Sequence, residues 1–231
     1  MPESPRKRVI VAIDGPAGAG KSTIARRDAR KLGFLYIDTG AMYRAVALWA
    51  LREGIDPADR LRMEPLAAAA EIELSMDRIS LNGEDVTVAI RAPEVSDGAS
   101  KAAVIPGVCR AMVAKQRACA ERASVVMEGR DIGTVVFPDA GVKIYLDADP
   151  GERARRRLQD LRAQGETAVT HSELAAQIAE RDRRDSTRAD SPLAQALDAV
   201  YLDSTRLSPN EVEEEILRLV RSRVSNGKEL H

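Results

Sequence analysis

The chain has 231 residues, of which 44% are hydrophobic and 31% are charged. This composition supports a full hydrophobic core, and the length fits one domain with an inserted or mobile subdomain. A formal net charge of −1 creates no global field toward nucleic acid or a membrane, and 3% aromatic residues are too few for a base-stacking platform. We therefore expect neither a nucleic-acid partner nor a membrane partner.

The two cysteines point to the cellular compartment. Cys109 and Cys119 are the only cysteines, and both fall in one predicted helix, where ten residues span about 15 Å. That distance is far beyond disulfide reach, and free thiols suit a reducing cytosol. No apolar stretch approaches the length of a transmembrane helix. We expect a cytoplasmic protein.

Near the N-terminus a β-branched apolar run, Val9–Ile13, leads into a glycine-rich turn and then a helical pattern. The turn has P-loop spacing and reads Gly15-Pro16-Ala17-Gly18-Ala19-Gly20-Lys21-Ser22-Thr23. In this motif, backbone N–H groups and the start of the next helix bind phosphate. Lys21 is expected to bridge the β- and γ-phosphates, and Ser22 to bind Mg²⁺. The sequence therefore predicts a bound nucleoside triphosphate.

Further apolar runs alternate mostly with helical patterns. The runs are Phe34–Ile37, Ser124–Met127, Val142–Leu146 and Ala199–Leu202. The helical segments cover about Lys21–Leu32, Ala41–Glu53, Pro106–Arg122, Asp149–Gln164, Ser172–Thr187 and Asn210–Val224. This alternation predicts an α/β fold with three α/β/α layers and a five-stranded parallel sheet.

Residues 56–100 differ in character from the rest of the chain. A helix over about Glu64–Ala70 precedes three short predicted strands, Glu71–Met76, Arg78–Leu81 and Glu84–Val88. Asn82-Gly83, between the last two strands, is a strong hairpin signal. An antiparallel meander within a parallel α/β pattern indicates an insertion at the edge of the sheet.

One residue conflicts with the helical pattern. Asp28 falls on the apolar stripe of the first helix, between Ile24 and Leu32, where a carboxylate is costly unless it pairs or reaches solvent. Arg27 faces elsewhere, so the sequence identifies no partner. We expect Asp28 to affect stability more than function.

Each of the five apolar runs ends in an acidic residue, and ligands bind beyond the carboxyl ends of parallel strands. These acids are Asp14, Asp38, Glu128, Asp147 and Asp203. They are placed to hold Mg²⁺ or to orient arginines that bind phosphate.

Arginines occur where phosphoryl transfer would need them, since that reaction depends on positioning and on neutralising phosphate charge. Arg44 lies one turn past Asp38-Thr39-Gly40, and Arg130 directly follows a strand end. In Arg181-x-x-x-Asp185-x-x-Arg188, helical spacing puts both arginines on one face with the carboxylate. Asp185 is expected to hold the guanidinium groups or to accept hydrogen bonds from a ribose.

The arginine-rich helices have a simpler explanation, because such helices are more often solvated faces. Other motifs in this chain favour a functional role for these helices. A P-loop and a loop at Gly165–Thr170 are the arrangement expected of a lid that closes over ATP.

Taken together, these motifs resemble those of bacterial cytidylate kinases, from about Val9 to Val224. The similarity rests on the P-loop, Asp38–Ala45, Glu94-Val95-Ser96 with Ala99-Ser100, Gly129–Asp139 and Arg181–Asp185. It implies a P-loop kinase fold in which residues 1–231 form a single domain. The core would cover about residues 7–55, 101–148 and 190–224, with a small α+β monophosphate-binding insertion at 56–100 and a helical lid at 149–189.

The resemblance also implies roles for individual residues. Thr39, Arg44 and Arg130 would hold the acceptor phosphate, and Ser100 and Asp131 would face the cytosine edge. Arg181 and Asp185 would bind the ribose, and Arg188 would help bind the nucleotide. Arg153 and Arg157 would join residues 15–23 at ATP, and the catalytic set would be Lys21, Arg44, Arg130 and Arg188.

One position of the base site departs from the family pattern. Similar proteins carry an arginine nine residues after the serine that matches Ser100, where it donates to the base; here that residue is Cys109. Arg110 is no simple substitute, because one helical step turns it by about 100°. A lost charged donor could cost about 1.5–3 kcal/mol. We expect weakened cytosine binding or relaxed discrimination against uracil.

The sequence therefore predicts a monomeric, Mg²⁺-dependent nucleoside monophosphate kinase of pyrimidine nucleotide metabolism, which uses ATP to phosphorylate CMP and dCMP. One alternative is a P-loop kinase with a relaxed or different acceptor, such as UMP, AMP or a small alcohol. The other is a non-catalytic nucleotide-binding switch or RNA-associated module. Near-zero net charge and scarce aromatic residues argue against RNA. An inactive kinase is disfavoured by the retention of Lys21, Ser22, Arg44, Arg130 and Asp185.

Overall fold

A computed structural model of the chain describes residues 8–121, 123–163, 165 and 168–225. The expected helix ends at Arg122 and Gln164, and part of the expected loop at Gly165–Thr170, lie outside the described residues. The strands are β1 (Ile10–Asp14), β2 (Leu35–Asp38), β3 (Ile72–Leu74), β4 (Ile79–Leu81), β5 (Glu84–Asp85), β6 (Val125–Gly129), β7 (Val142–Asp147) and β8 (Val200–Asp203).

The helices match the predicted segments closely, with one addition. They are α1 (Lys21–Leu32), α2 (Thr39–Arg52), α3 (Arg60–Ala69), α4 (Pro93–Ala102), α5 (Pro106–Ala120), α6 (Pro150–Ala163), α7 (His171–Ser186) and α8 (Pro209–Ser225). Helix α4 and the π-helical turn Ile132–Val136 were not predicted from the sequence. Among the described residues, no helix combines the length and apolarity needed to cross a membrane.

Within the described residues, five parallel strands form the main sheet, in the order β2-β6-β1-β7-β8. Strand β1 lies at the centre, where Val11 is in register with Val126 of β6 and Val142 of β7. Alternate residues of β1 enter two different apolar clusters. Ala12 packs with residues of α2 and α5, whereas Val11 and Ile13 pack with residues of α1 and α8. Helices therefore cover both faces, which confirms the three-layer α/β/α fold.

The segment predicted as an insertion contains α3 and a small antiparallel sheet in the order β3-β4-β5. Asn82 and Gly83 both have positive φ, 51° and 82°, as a type I′ turn requires, so the predicted hairpin is confirmed. Strand β5 is shorter than expected, because the chain turns away after Asp85. Helix α4 then packs on α2 and extends past residue 100, the end that we expected for the insertion. The division of the chain into core, insertion and lid stays a prediction.

The structure explains why Asp28 lacked a partner in the sequence. Its side chain is fully buried between α1 and α8, and neither carboxylate oxygen has a hydrogen-bond partner within the described residues. The nearby cations bind Glu213 instead: Arg27 Nη2 lies 2.5 Å and Lys31 Nζ 3.0 Å from its carboxylate oxygens. Burial, followed by the charge of Glu213, raises the pKa of Asp28 to about 7. The folded state therefore disfavours the ionised form of Asp28.

The pKa of Asp28 predicts how a substitution changes stability with pH. Because the folded-state pKa lies near 7 and the ordinary value is 3.8, the penalty is absent below about pH 4 and grows until pH exceeds 7. Asp28→Ala should raise the free energy of unfolding by about 1–3 kcal/mol at pH 8 and by less at pH 5. Urea denaturation at both pH values measures this difference from the wild type.

Glu214→Ala is the matched control, because Glu214 is an exposed carboxylate on α8 next to Glu213. It should change stability by the same small amount at pH 5 and pH 8. A gain for Asp28→Ala that does not depend on pH would contradict the assignment of a buried, proton-binding carboxylate.

Candidate active site

The carboxyl ends of the central strands open into a cavity of about 1940 Å³. It is lined by the P-loop, α2, the insertion, the turn after β6, and helices α6 and α7. Sites for one small molecule usually measure about 300–1,000 Å³. The cavity therefore has room for two nucleotide-sized ligands.

The P-loop adopts a backbone that its glycines make possible. Gly15, Gly18 and Gly20 have φ values of 148°, 79° and 93°. A Cβ atom on Gly15 would lie 2.0 Å from the backbone oxygen of Leu146, so the loop passes directly against β7. Helix α1 begins at Lys21, and its positive N-terminal end closes the loop as an anion site.

Lys21 and Glu128 form the buried floor of this anion site. The ammonium group of Lys21 donates to the carbonyl oxygen of Pro16 at 2.6 Å, and burial, followed by the charge of Arg130, lowers its pKa. Glu128 accepts a hydrogen bond from Tyr36 Oη at 2.6 Å and another from the hydroxyl of Ser22, and burial raises its pKa. An anion bound at the loop would favour the charged form of Lys21.

Asp185 organises the arginines on the other side of the cavity. Arg130 Nε donates to Asp185 Oδ2 at 2.8 Å, and Arg188 Nη2 donates to Asp185 Oδ1. Burial alone would raise the pKa of Asp185, but the neighbouring guanidinium charges outweigh it and lower the pKa. Asp185 therefore holds guanidinium groups, one of the two roles that the sequence left open. Arg188 lies just beyond the end of α7 rather than on it.

The arginines carry more positive charge than Asp185 neutralises. Arg181 Nε is buried without a hydrogen-bond partner in the described part of the chain, and burial with the charge of Arg130 lowers the pKa of Arg181 to about 10. Arg44 Nη2 pairs with Asp38 Oδ2 at 3.0 Å, but Arg44 Nε is likewise buried and unpartnered. These side chains line the cavity together with Lys21 and Arg130. The site is therefore electrostatically prepared for anionic phosphate.

Beyond the arginines, one end of the cavity is lined by a hydroxyl and a carboxyl group. We call it the acceptor end. Ser100 Oγ, on α4, is buried and has no hydrogen-bond partner among the described residues. Asp131 is buried beside the hydroxyl of Ser191, and burial raises its pKa. Both residues line the cavity, where the resemblance placed the base.

Cys109 lies behind this end of the cavity and is not one of its lining residues. Its side chain is buried, its thiol donates to the carbonyl oxygen of Ala103 at 3.0 Å, and it also hydrogen bonds with the hydroxyl of Tyr43. Arg110 faces away, with Nη1 3.7 Å from Asp190 Oδ2. Arg110 therefore does not fill the place of the missing arginine.

Several predicted site residues have other contacts. Thr39 is buried, and its hydroxyl donates to the backbone oxygen of Glu128 at 2.7 Å. Arg157 lines the cavity, whereas Arg153 does not: Arg153 is buried against the carbonyl oxygens of Ala148 and Ala17, at 3.0 and 2.9 Å. The roles that the resemblance gave these residues stay predictions.

The strand-end acids have more varied roles than the sequence suggested. Asp38 does orient an arginine, and Glu128 lies beside Ser22. Asp14 instead accepts from the backbone N–H groups of Ile132 and Gly133 at 2.8 and 2.7 Å, which fixes the turn after Arg130. Asp147 and Asp203 also accept from neighbouring backbone groups. Asp38 and Glu128 line the cavity, and the expected roles of the other three acids toward Mg²⁺ or arginines stay predictions.

Sequence reasoning missed two residues that shape the site. Arg156 of α6 donates to the hydroxyl and the carbonyl oxygen of Ser204, at 2.9 and 2.6 Å, and so ties α6 to the loop after β8. Asp182 of α7 accepts from the backbone N–H of Ala17 at 3.0 Å. Both occur in runs of charge whose spacing does not distinguish them from solvated neighbours, so only the tertiary contacts reveal them.

A parallel sheet with a P-loop after its central strand, facing a second set of buried arginines in one cavity, defines a P-loop kinase. Comparison with known proteins narrows this class. Residues 11–222 match the family model described as cytidylate kinase. The chain is 69% identical to a cytidylate kinase of Solibacter usitatus over 99% of both chains. It is 51% identical to a cytidylate kinase of Pelotomaculum thermopropionicum, over 94% of this chain and 96% of the relative.

The chain belongs to the cytidylate kinase family, and the resemblance seen in the sequence is confirmed. It is a transferase of the nucleoside monophosphate kinase type. A solved structure of an uncharacterized protein from Eubacterium ventriosum is similar with a TM-score of 0.51, at 11% identity, over 93% of this chain and 99% of that one. That likeness concerns the fold alone.

The packing of Gly15 predicts a clear difference between two glycine substitutions. Gly15 and Gly33 both have positive φ, but a Cβ atom on Gly33 would meet nothing within 4 Å. Gly33→Ala should therefore cost only the backbone strain, about 1–2 kcal/mol. Gly15→Ala should cost about 3 kcal/mol or more and abolish ATP binding, because a backbone oxygen cannot move aside. Urea denaturation and calorimetric titration with ATP measure both effects; equal losses in the two variants would contradict the argument.

Proposed function

We propose that this protein transfers the γ-phosphoryl group of ATP to CMP or dCMP, with Mg²⁺, and releases ADP and CDP or dCDP. The observation that carries the proposal is the excess of buried positive charge between the P-loop and the end of the cavity that contains Ser100 and Asp131. Lys21 and Arg181 lie there with lowered pKa values, and the Nε groups of Arg44 and Arg181 have no hydrogen-bond partner among the described residues; an anion would satisfy these groups. Two phosphate-bearing ligands that meet at this point would neutralise it.

The triphosphate would bind at the P-loop. Backbone N–H groups and the start of α1 would hold the β-phosphate, and Lys21 would reach the β- and γ-phosphates. The hydroxyl of Ser22 is exposed toward the cavity and hydrogen bonds with Glu128, which gives the oxygen donors that Mg²⁺ prefers. Ser22 would hold the ion, since Mg²⁺ takes most of its other ligands from water and phosphate. When bound, Mg²⁺ neutralises charge on the phosphates.

The acceptor phosphate would bind to Arg44 and Arg130. Asp38 and Asp185 hold these two guanidinium groups in place, so their orientation does not depend on the ligand. A phosphate monoester is anionic at neutral pH and needs no general base to attack the γ-phosphorus. The chain's contribution is to align the two phosphates and offset their repulsion.

The acceptor base would bind beside Ser100 and Asp131. The exocyclic amine of cytosine donates hydrogen bonds, and a carboxyl group and an unpartnered hydroxyl can accept them. Uracil presents a carbonyl oxygen at the same position, which cannot donate a hydrogen bond to the carboxylate of Asp131. Sites built to pair a polar group reject analogues that lack it.

Lid and insertion would enclose the reactants. Arg184 of α7 pairs with Asp97 of α4 at 3.2 Å, which joins the two sides of the cavity. We propose that residues 56–100 bind the monophosphate and that residues 149–189 act as the lid. Closure would exclude water and limit idle ATP hydrolysis. We also propose a cytoplasmic location, since ATP is available there and both cysteines are free thiols.

A coupled ADP-release assay tests the function. ATP and Mg²⁺ are supplied with CMP, dCMP, UMP or AMP in turn, and one reaction lacks an acceptor. CMP and dCMP should stimulate turnover strongly. Lys21→Met should lower kcat by about 10²-fold or more, because it removes a charge that acts on the transferred group. Lys31→Met, on the same helix but paired with Glu213, is the control and should keep the wild-type kcat.

Hydrolysis of ATP at the same rate with every acceptor would overturn the kinase proposal. Preferred turnover of AMP or UMP would keep the reaction type but contradict the acceptor.

The proposed base site beside Ser100 and Asp131 leads to a prediction about a hydrogen-bond donor at position 109. Cys109→Arg should lower the KM for CMP and raise the preference for CMP over UMP by about 10-fold or more, as a charged hydrogen bond would. Steady-state kinetics with both acceptors measure the change. Cys109→Ala is the control, because it removes the thiol contact with Tyr43 but adds no donor. Equal effects of the two variants would show that the donor is not the cause.

A further inference from the structure

Two residues of the proposed lid, Arg153 on α6 and Asp182 on α7, hydrogen bond with the backbone of Ala17 in the P-loop. We call this pair of residues the clamp. Asp182 Oδ1, on α7, accepts from Ala17 N at 3.0 Å. Arg153 Nη1, on α6, donates to the carbonyl oxygen of Ala17 at 2.9 Å. Asp182 and Arg153 also form an ion pair with each other. Both polar groups of one P-loop residue are thus held by lid residues.

The clamp is shielded from solvent, which makes it stiff. Only 8% of the Arg153 side chain and 19% of the Asp182 side chain are exposed. Arg153 Nε is bound to the carbonyl oxygen of Ala148, so the guanidinium group cannot swing away. Ala17 itself packs in an apolar cluster with lid residues Ala154, Leu158, Leu174 and Ile178. Charge-assisted hydrogen bonds in such a setting are strong and directional.

The position of Asp182 on α7 links the clamp to the acceptor end of the cavity. Asp182 directly follows Arg181 and lies one turn before Asp185, and these two neighbours line the acceptor end of the cavity. Asp185 in turn holds Arg130 and Arg188. Helix α7 therefore connects the P-loop backbone at Ala17 with the acceptor site.

We propose that Asp182 and Arg153 are positioning residues that couple the ATP site to the acceptor site. With the P-loop fixed by the triphosphate, the clamp fixes α7 in the position in which its acceptor-facing residues bind the monophosphate. The same coupling acts in reverse, because the effect of two ligands on each other's affinity is reciprocal. This inference rests on the proposed function, since it takes the two ligands to be ATP and CMP.

The test is a coupling measurement by calorimetric titration. The Kd for CMP is measured alone and with a saturating non-hydrolysable ATP analogue plus Mg²⁺. The ratio of the two values should lie in the range of about 5- to 150-fold for the wild type. It should fall toward 1 in Asp182→Ala and in Arg153→Met. The double variant should show no further loss, because the two residues act as one unit.

Glu180→Gln is the matched control on the same helix, since Glu180 forms ion pairs with exposed Arg183 and with Arg184 and with no other group in the described part of the chain. It should keep the wild-type ratio. Asp182→Asn is a near-isosteric variant that keeps an oxygen for Ala17 N but weakens the pair with Arg153, so its ratio should be intermediate. This variant carries the test if Asp182→Ala does not fold, as judged by circular dichroism.

An unchanged ratio in Asp182→Ala, or in Asp182→Asn if the alanine variant does not fold, would overturn the inference; so would a wild-type ratio of 1. A merely structural role would lower the melting temperature and leave the ratio intact. A different result would contradict the proposed function. If wild-type protein binds CMP and the ATP analogue with coupling but transfers no phosphoryl group, the coupling stands and the kinase reaction does not.

Discussion

Uncompensated positive charge, buried where the P-loop meets the acceptor end of the cavity, is the constraint on which the site depends. Burial, followed by the charge of Arg130, lowers the pKa values of Lys21 and Arg181. Asp185 relieves only part of it. The fold supports the arrangement with rigid elements, since β1 and α1 fix the lysine and the turn after β6 fixes Arg130. Ligand phosphates then supply the missing negative charge. The favourable electrostatic interaction is therefore made at the phosphates that react.

The sequence predicted the elements that local chemistry determines. Apolar β-branched runs, the glycine spacing of the P-loop and the Asn82-Gly83 turn each have a single physical reading, and the sheet, loop and hairpin followed from them. Helix α4 was missed because its sequence, Pro93–Ala102, has Ser, Asp and Gly in place of strong helix formers and is stabilised by packing on α2. Asp182 and Arg156 lie among charged sequence neighbours. Only the tertiary contacts therefore show that these two residues shape the site.

Two positions at which this chain departs from the expected pattern have different consequences. Asp28 is buried between helices on the face of the sheet away from the insertion, so its penalty falls on folding. Cys109 lies behind Tyr43, near the end of the cavity that contains Ser100 and Asp131, and its expected effect on recognition of the acceptor stays a prediction.

The place of β1 in the sheet has a consequence for synthesis on the ribosome. Ile10 pairs with Val125, and Val11 pairs with Val142, so the strand that carries the P-loop gains these neighbours only after β6 and β7 have emerged. Parallel pairing between such distant segments folds slowly and leaves apolar strand edges open meanwhile. The nucleotide-binding loop therefore cannot reach its working shape until β6 and β7 have been translated and have paired with β1.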